Sequence, residues 1–328
     1  MRALVWVSLL SVMLLVSLSA YLRLSHSGIG CLDWPACYGK IGESEIVSQP
    51  LSTENAYQRI VAEASQPLAW ATPLHRLIAS GLGLLITGLV ILAVMRKRGR
   101  LISLVLLGVT VFLALLGLKS GGLHSPAVVM GNLSGGFLML GLLGWMLFAQ
   151  KDGKIKTGGG LSSPSLPRAL PLIAVLLLVV QILMGGLTSA NFAATSCQSL
   201  PDCHGSWIPG AEIWQAMDLS KNHEVTASGQ AIGGEERIAI HMAHRLGDVL
   251  TGLVVLLLGL MSWKAGGGLR TTGIVVLVLV TVEFSIGIAA ILSGLPIGLA
   301  VAHNWLAGLL LLALLRIAAL NRVRRKQV

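Results

Sequence analysis

Residues 169–190 read ALPLIAVLLLVVQILMGGLTSA and contain no charged side chain. A helix needs about 20 apolar residues to cross a bilayer core, and this stretch has that length. Seven similar stretches occur elsewhere in the chain, so the sequence predicts an all-α integral membrane protein of eight transmembrane helices. The eight stretches lie at 3–21, 74–95, 101–119, 127–149, 169–190, 240–263, 271–292 and 298–320.

The composition agrees with a membrane protein. Of the 328 residues, 54% are hydrophobic and 12% are charged, and a soluble domain of this length could not bury so much apolar surface. The first apolar stretch, Ala3 to Tyr21, is not followed by a small-residue cleavage site. We therefore predict that it is a retained helix rather than a signal peptide.

The net charge of +10 does not indicate a nucleic-acid partner, because the charges follow the predicted topology. With the N-terminus inside, 16 of the 24 basic residues lie on the cytoplasmic side and 11 of the 14 acidic residues lie in the outer loops. Lys and Arg in short loops determine the orientation of membrane helices. We expect both termini to be cytoplasmic and the protein to contact lipid but no nucleic acid.

An internal repeat divides the chain into two four-helix units, 1–156 and 157–328. Each unit has a long outer loop with the same pattern of cysteine, proline, cysteine and glycine, and each helix after that loop carries a His-Arg pair. A duplication of four helices keeps both copies in one orientation, so we expect two tandem bundles related by a pseudo-two-fold axis along the membrane normal. The matching residues are Cys31, Pro35, Cys37, Gly39, His75 and Arg76 against Cys197, Pro201, Cys203, Gly205, His244 and Arg245.

The two cysteine pairs allow three interpretations. Cysteines on an oxidising outer face usually form bridges, and a bridge of this kind is either structural or redox-active. Binding of zinc by the two pairs is the third interpretation, although other ligands at the usual spacing are lacking. Covalent heme attachment is excluded because the motif C-x-x-C-H is absent.

Histidines inside the predicted helices are the main candidates for a functional site, because intramembrane polar residues are costly. The repeat places His244 and His303 at matching depth on different helices, which is how helical bundles hold cofactors. Two imidazoles on opposite faces of a porphyrin ligate heme iron, so we predict a heme site. Gly247 and Gly308 either leave room for the macrocycle or allow close helix packing.

Charged residues near these histidines have two interpretations. Arg76 and Arg245 either pair with heme propionates or extend to the lipid headgroups. Asp248 and Glu283 are acids inside predicted helices, and Arg245 is the nearest partner in sequence for Asp248.

The motifs together resemble the heme A synthase family, especially its proteobacterial type, over essentially the whole chain. The resemblance is carried by the His-Arg helices and by three further motifs. These are Gly30-Cys31-x-Asp33-Trp34-Pro35-x-Cys37-Tyr38-Gly39, the stretch from Gln181 through Asn191 to Ala194, and Ala300-Val301-Ala302-His303-Asn304.

The resemblance implies that heme O is oxidised at its C8 methyl group to heme A, for cytochrome oxidase biogenesis in the bacterial inner membrane. It implies heme b between His244 and His303, a heme O site in the N-terminal unit with His75 as one ligand, and disulfides Cys31–Cys37 and Cys197–Cys203. Heme O synthase, oxidase assembly factors and further copies of the chain are the partners compatible with such a protein.

Two positions depart from the family pattern. Asn132 stands where the second N-terminal histidine is expected, and Thr72 stands where a glutamate is expected. His124 is too far along the helix from Asn132 to replace that histidine, and Glu54 and Glu63 are the nearest acids that could replace the carboxylate. We therefore expect low or absent heme A formation by the unaltered chain.

Three functional hypotheses follow from the sequence. The first is a heme A synthase with an altered substrate site. The second is a non-catalytic heme b protein that acts in electron transfer or oxidase assembly. The third is a transporter, which internal repeats and intramembrane acids also fit.

Overall fold

The computed structural model of the protein is all-helical in the residues that it describes. These are 1–26, 71–119, 126–149, 166–197, 199–203, 205, 207, 210, 212–220 and 235–325. Within them, eight helices are long and apolar enough to cross a membrane, which confirms the predicted number. They are α1 Arg2–His26, α2 Ala71–Met95, α3 Arg100–Lys119, α4 Pro126–Phe148, α5 Ala169–Ala190, α6 Glu235–Ala265, α7 Gly267–Leu292 and α8 Ile297–Arg324.

The helices begin and end within three residues of the predicted positions, except at four ends, where the helix is four or five residues longer. Helix α1 ends at His26 rather than at residue 21, and α7 begins at Gly267 rather than at residue 271. Helix α6 begins at Glu235, five residues before the predicted apolar stretch, and α8 continues to Arg324. The added turns carry charged residues, including Glu236 and Arg322. Such residues can extend a helix into the headgroup region, where backbone and side chains meet water, so hydropathy alone underestimates the helix length.

The first four helices pack in a closed ring, in which α1 contacts α2, α2 contacts α3, α3 contacts α4 and α4 contacts α1. The last four pack in a second ring in the same order, from α5 through α6 and α7 to α8 and back to α5. In each ring the second and fourth helices therefore lie across from one another. This arrangement places α6 opposite α8, and α2 opposite α4.

The two rings meet through α1 and α4 on one side and α5 and α8 on the other. Helix α4 contacts α8 at the centre, flanked by the contacts of α1 with α8 and of α4 with α5. A two-fold axis that relates α1 to α5 and α4 to α8 converts the α1–α8 contact into the α5–α4 contact, so the two flanking contacts are equivalent. Gly308 of α8 permits close approach, since an added Cβ would lie 3.2 Å from both Leu140 Cδ2 and Met13 Sδ.

The loop after α5 forms a cap above the second ring. It contains the 3-10 turn Ala193–Thr195 and the short helix Ile213–Ala216. The Asn191 amide donates to the carbonyls of Leu187 (2.9 Å) and Ala216 (3.0 Å), and the Arg237 guanidinium of α6 donates to Phe192 O. These bonds fix the loop to the helices that carry the candidate site.

Candidate functional site

The two candidate ligands of the C-terminal half, His244 and His303, lie on opposite helices of the second ring. The ring of His244 on α6 packs against Gly185 of α5, and the ring of His303 on α8 packs against Gly287 of α7. Both glycines are five residues before the end of their helix, about 8 Å along the axis. The two imidazoles therefore lie at similar depth below the loop end of the bundle.

His244 is surrounded by polar groups from α5 and α6. Its Nδ1 is 2.7 Å from the Gln181 amide nitrogen, and its Nε2 is 3.7 Å from Asp248 Oδ2. The Gln181 amide also donates to the carbonyl of His244 (2.8 Å) and to Asp248 Oδ1 (2.6 Å). Gln181 thus holds the backbone, the ring and the carboxylate of α6 together.

His303 has a carboxylate beside its ring. Its Nδ1 lies 3.3 Å from Glu283 Oε1 of α7, and the two side chains are 29% and 14% exposed. Within the part of the chain that the structure describes, neither Nδ1 of His303 nor Oε2 of Glu283 makes a well-directed hydrogen bond. This pair therefore has unused hydrogen-bonding capacity within a membrane-spanning bundle.

One sequence pattern builds both sides of the site. Gln181 and Glu283 each precede, by four residues, the glycine against which the candidate imidazole packs. Residues four apart share one helix face, so each neighbouring helix presents a polar group and a gap for the ring on the same face. The sequence contains this spacing but does not show its purpose, because the partner histidines lie on other helices, 63 residues after Gln181 and 20 residues after Glu283.

The structure favours close packing over an open space at Gly247 and Gly308, and it gives Asp248 a different partner from the nearest one in sequence. Gly247 accommodates the Gln181 carboxamide, which an added Cβ would overlap, and Gly308 serves the contact between the halves, so neither glycine borders an open space for a macrocycle. Asp248 is paired with Gln181 and His244 rather than with Arg245.

Arg245 binds the outer loop instead. Its guanidinium donates to the carbonyls of Cys197 (2.6 Å), Ser199 (2.8 Å) and Asp202 (3.2 Å). In the structure these three carbonyls are the partners of Arg245, and its pairing with a heme propionate stays a prediction. A disulfide joins Cys197 to Cys203, as predicted, and both residues are buried. Arg245 directly follows His244, so its bonds connect the disulfide loop to the helix that carries this candidate ligand.

The N-terminal half brings fewer polar groups together in the described residues. His75 on α2 is half-buried, Arg76 beside it is exposed, and Asn132 on α4 is half-buried. Thr72 lies in the first turn of α2. Cys31, Cys37, Glu54, Glu63 and His124 lie outside the described residues, so the Cys31–Cys37 disulfide stays a prediction.

The residues of the C-terminal half are compatible with heme. Two imidazoles on opposite helices at equal depth form the donor set that binds heme iron from both faces. Metal-ligating histidines usually hydrogen-bond a carboxylate, carbonyl or water through their other nitrogen. The unused Nδ1 of His303 beside Glu283 fits this requirement. On His244 the Nδ1 has such a polar neighbour, the Gln181 amide at 2.7 Å.

The fold and the site define a class: a multi-pass helical membrane protein with opposed, polar-supported histidines inside one four-helix ring. Within this class, the chain matches the family model COX15-CtaA, described as cytochrome oxidase assembly protein, over residues 2–315. The match covers nearly the whole chain. The protein therefore belongs to the COX15-CtaA family.

Relatives of known name agree with this assignment. The chain is 31% identical to the heme A synthase of Shewanella oneidensis, over 95% of this chain and 93% of the relative. It is 25% identical to the heme A synthase of Rhizorhabdus wittichii, over 94% and 91% of the two chains. A third heme A synthase, from Granulibacter bethesdensis, is 25% identical over 92% and 82%.

Proposed function

We propose that this protein is a heme A synthase, a membrane oxidoreductase that oxidises the C8 methyl group of heme O to the aldehyde of heme A for cytochrome oxidase. The opposed pair of His244 and His303, each backed by a polar side chain, is the observation that supports this function. Membership of an oxidase assembly family and whole-length similarity to heme A synthases supply the substrate and the reaction.

The C-terminal unit, residues 157–328, binds heme b in this proposal. Heme bound here would supply one-electron transfer. His244 and His303 would hold the iron from α6 and α8, and Glu283 would keep the His303 ring in a fixed orientation. Gln181 would orient the His244 ring in the same way, and its amide also donates to Asp248, one turn further along α6.

The N-terminal unit, residues 1–156, receives heme O in this proposal. His75 is its one imidazole at the position implied by the family pattern, and Asn132 on the opposite helix α4 offers only an amide. A single ligand leaves the substrate exchangeable, which suits a molecule that must enter and leave. Conversion of a methyl group to an aldehyde releases protons, and Thr72 cannot accept them as a carboxylate would.

A second candidate function is a non-catalytic heme b protein in electron transfer or oxidase assembly. The replacements at Asn132 and Thr72 favour it, because they affect the substrate side and leave His244 and His303 in place. A protein with this second function would have the same heme b site as the proposed enzyme but would form no heme A. The family assignment gives no support to the transporter hypothesis.

The proposed location is the bacterial inner membrane, with both termini in the cytoplasm. The basic residues Arg322 and Arg324 at the end of α8, and Arg96 and Arg98 after α2, lie on one side of the helix array. Short basic loops remain on the cytoplasmic side. Heme O synthase and oxidase assembly factors are the proposed partners, with assembly into several copies as a further proposal.

The test is the mass of hemes extracted from cells that express the protein and are supplied with heme O by a heme O synthase. We expect heme A in these cells and none in cells without the protein. His75→Ala should abolish the product while heme b remains bound. Bound heme b with no heme A above the control would instead establish the second candidate function.

A further inference from the structure

A groove of about 160 Å³ lies where α4, α7 and α8 meet, near the helix ends that carry Arg322 and Arg324. It lies on the seam between the two halves, since α4 belongs to the first ring and α7 and α8 belong to the second. Its lining residues include Phe148, Thr271, Val275, Leu312, Ala313 and Arg316.

Arg316 is the charged residue of this groove. It is exposed, and within the residues that the structure describes it makes no hydrogen bond or ion pair. Helix α8 has 28 residues and so measures about 42 Å, whereas the hydrocarbon core is about 30 Å thick. With α8 centred in the core, Arg316 begins about 7 Å inside the hydrocarbon boundary, so its guanidinium can extend along the groove to the headgroup level and meet an anionic group there.

We propose that this groove binds an anionic phospholipid from the adjacent leaflet, with the lipid phosphate on Arg316 and an acyl chain along the apolar wall. A guanidinium can hold two phosphate oxygens through parallel hydrogen bonds. Thr271 is exposed at the groove, so its hydroxyl is available to the headgroup. The Thr272 hydroxyl is already used, since it donates to Gly268 O at 2.8 Å.

The surrounding charges favour an anionic over a zwitterionic headgroup. Arg270 directly precedes Thr271 at the start of α7, and Lys264 lies at the end of α6 on the same side. Clusters of basic residues at this level attract anionic lipids, and they repel the ammonium group of a zwitterionic lipid. A lipid in this groove contacts Phe148 of the first half and Val275 of the second, so it joins the two halves. This proposal does not depend on the proposed enzymatic function.

The experiment is native mass spectrometry of the purified full-length protein with added phosphatidylglycerol or phosphatidylcholine. We expect one tightly retained phosphatidylglycerol and about tenfold weaker retention of phosphatidylcholine. Arg316→Gln should reduce the retained phosphatidylglycerol about tenfold. Arg322→Gln is the matched control, because it removes the same charge from an exposed position outside the groove, and it should retain the lipid.

A second variant tests the shape of the groove while its charge stays constant. Val275→Phe places a bulkier side chain at a lining position that is 44% exposed, so the protein core is left unchanged. It should also lose the retained phosphatidylglycerol. Equal retention by Arg316→Gln and Arg322→Gln, full retention by Val275→Phe, or equal retention of both lipids by the unaltered protein would each overturn the proposal.

Discussion

The last two helices of each half have the same arrangement but opposite chemistry. In the second half, Glu283 of α7 contacts His303 of α8. In the first half, Leu113 of α3 stands four residues before Gly117, as Glu283 stands four residues before Gly287. Leu113 packs on Gly135 of α4, where an added Cβ would lie 2.6 Å from Leu113 Cδ2. One scaffold therefore supports a polar pair in one copy and apolar packing in the other.

The difference teaches which part of the repeat is required for folding. Leu113 against a glycine is ordinary helix packing, whereas an acid at the same position within a membrane is costly unless it has a partner. Because the ring closes in both halves, the polar residues are not needed to assemble it. Their presence in the second half alone is best explained by a ligand.

The largest expected effect separates the two halves by their histidines. His244→Ala and His303→Ala should each abolish a low-spin b-type absorption spectrum of the purified protein, since loss of one axial ligand leaves the iron five-coordinate and weakly held. His75→Ala is the control in the other half and should preserve the spectrum. Unchanged spectra in both C-terminal variants would refute the ligand assignment.

The next largest effect is expected when two substitutions give the first half the residues of the family pattern. Asn132→His combined with Thr72→Glu should raise heme A formation about 100-fold, because the pair restores an axial ligand and a carboxylate, and a positioned acid or base contributes about 10²–10⁴ in rate. Product is measured by mass in extracted hemes. Asn132→Ala with Thr72→Ala should give no increase. Abundant heme A from the unaltered protein, undiminished by His75→Ala, would show that the substrate binds elsewhere.

A smaller effect concerns the groups behind the histidines. Glu283→Leu copies the residue of the first half and should lower heme affinity about 10–100-fold, as loss of the outer partner of a metal-bound histidine does. Titration of heme into purified apoprotein measures this. Phe284→Leu changes a neighbouring residue that is 45% exposed and should have no effect. Wild-type affinity in Glu283→Leu would mean that His303 is oriented by packing alone.

Arg245 and Arg76 occupy the same place in the repeat but have different surroundings. Arg245→Ala removes three hydrogen bonds to the disulfide loop. The Cys197–Cys203 bond should then be reduced by dithiothreitol about tenfold faster, since one bond from a charged donor contributes about 1.5 kcal/mol or more. Peptide mapping with thiol labelling gives the rate. Arg76→Ala should leave this rate unchanged; an equal acceleration would indicate a general loosening of the protein.

The smallest effect uses the glycines of the repeat. An added Cβ at Gly185 would lie 3.0 Å from His244 Cε1, at Gly287 it would lie 3.4 Å from His303 Cε1, and at Gly117 nothing described lies within 4 Å. Gly185→Ala should lower heme affinity about fivefold through overpacking, Gly287→Ala should lower it less, and Gly117→Ala should not change it. Equal affinities of all three variants would argue against contact of the imidazoles with these helices.

The sequence predicted the helices and the candidate ligands because hydropathy and an internal repeat encode them directly. The eight spans and the positions of His244 and His303 needed only local patterns, whereas the Cys197–Cys203 disulfide was implied by the family resemblance. The partner of Asp248 was predicted wrongly, because distance along the chain favoured Arg245. Helices that face lipid are apolar around most of their circumference, so periodicity does not reveal their rotation, and the meeting of Gln181 with His244 could not be read from it.

The contacts among α1, α4, α5 and α8 are those of an isologous dimer whose subunits have been fused into one chain. In a dimer of identical subunits every substitution appears twice, so a change that suits one site is imposed on the other. Fusion removes that constraint. Asn132 and Leu113 stand in one copy and His303 and Glu283 in the other, so a single chain can carry different side chains at matching positions of one bundle.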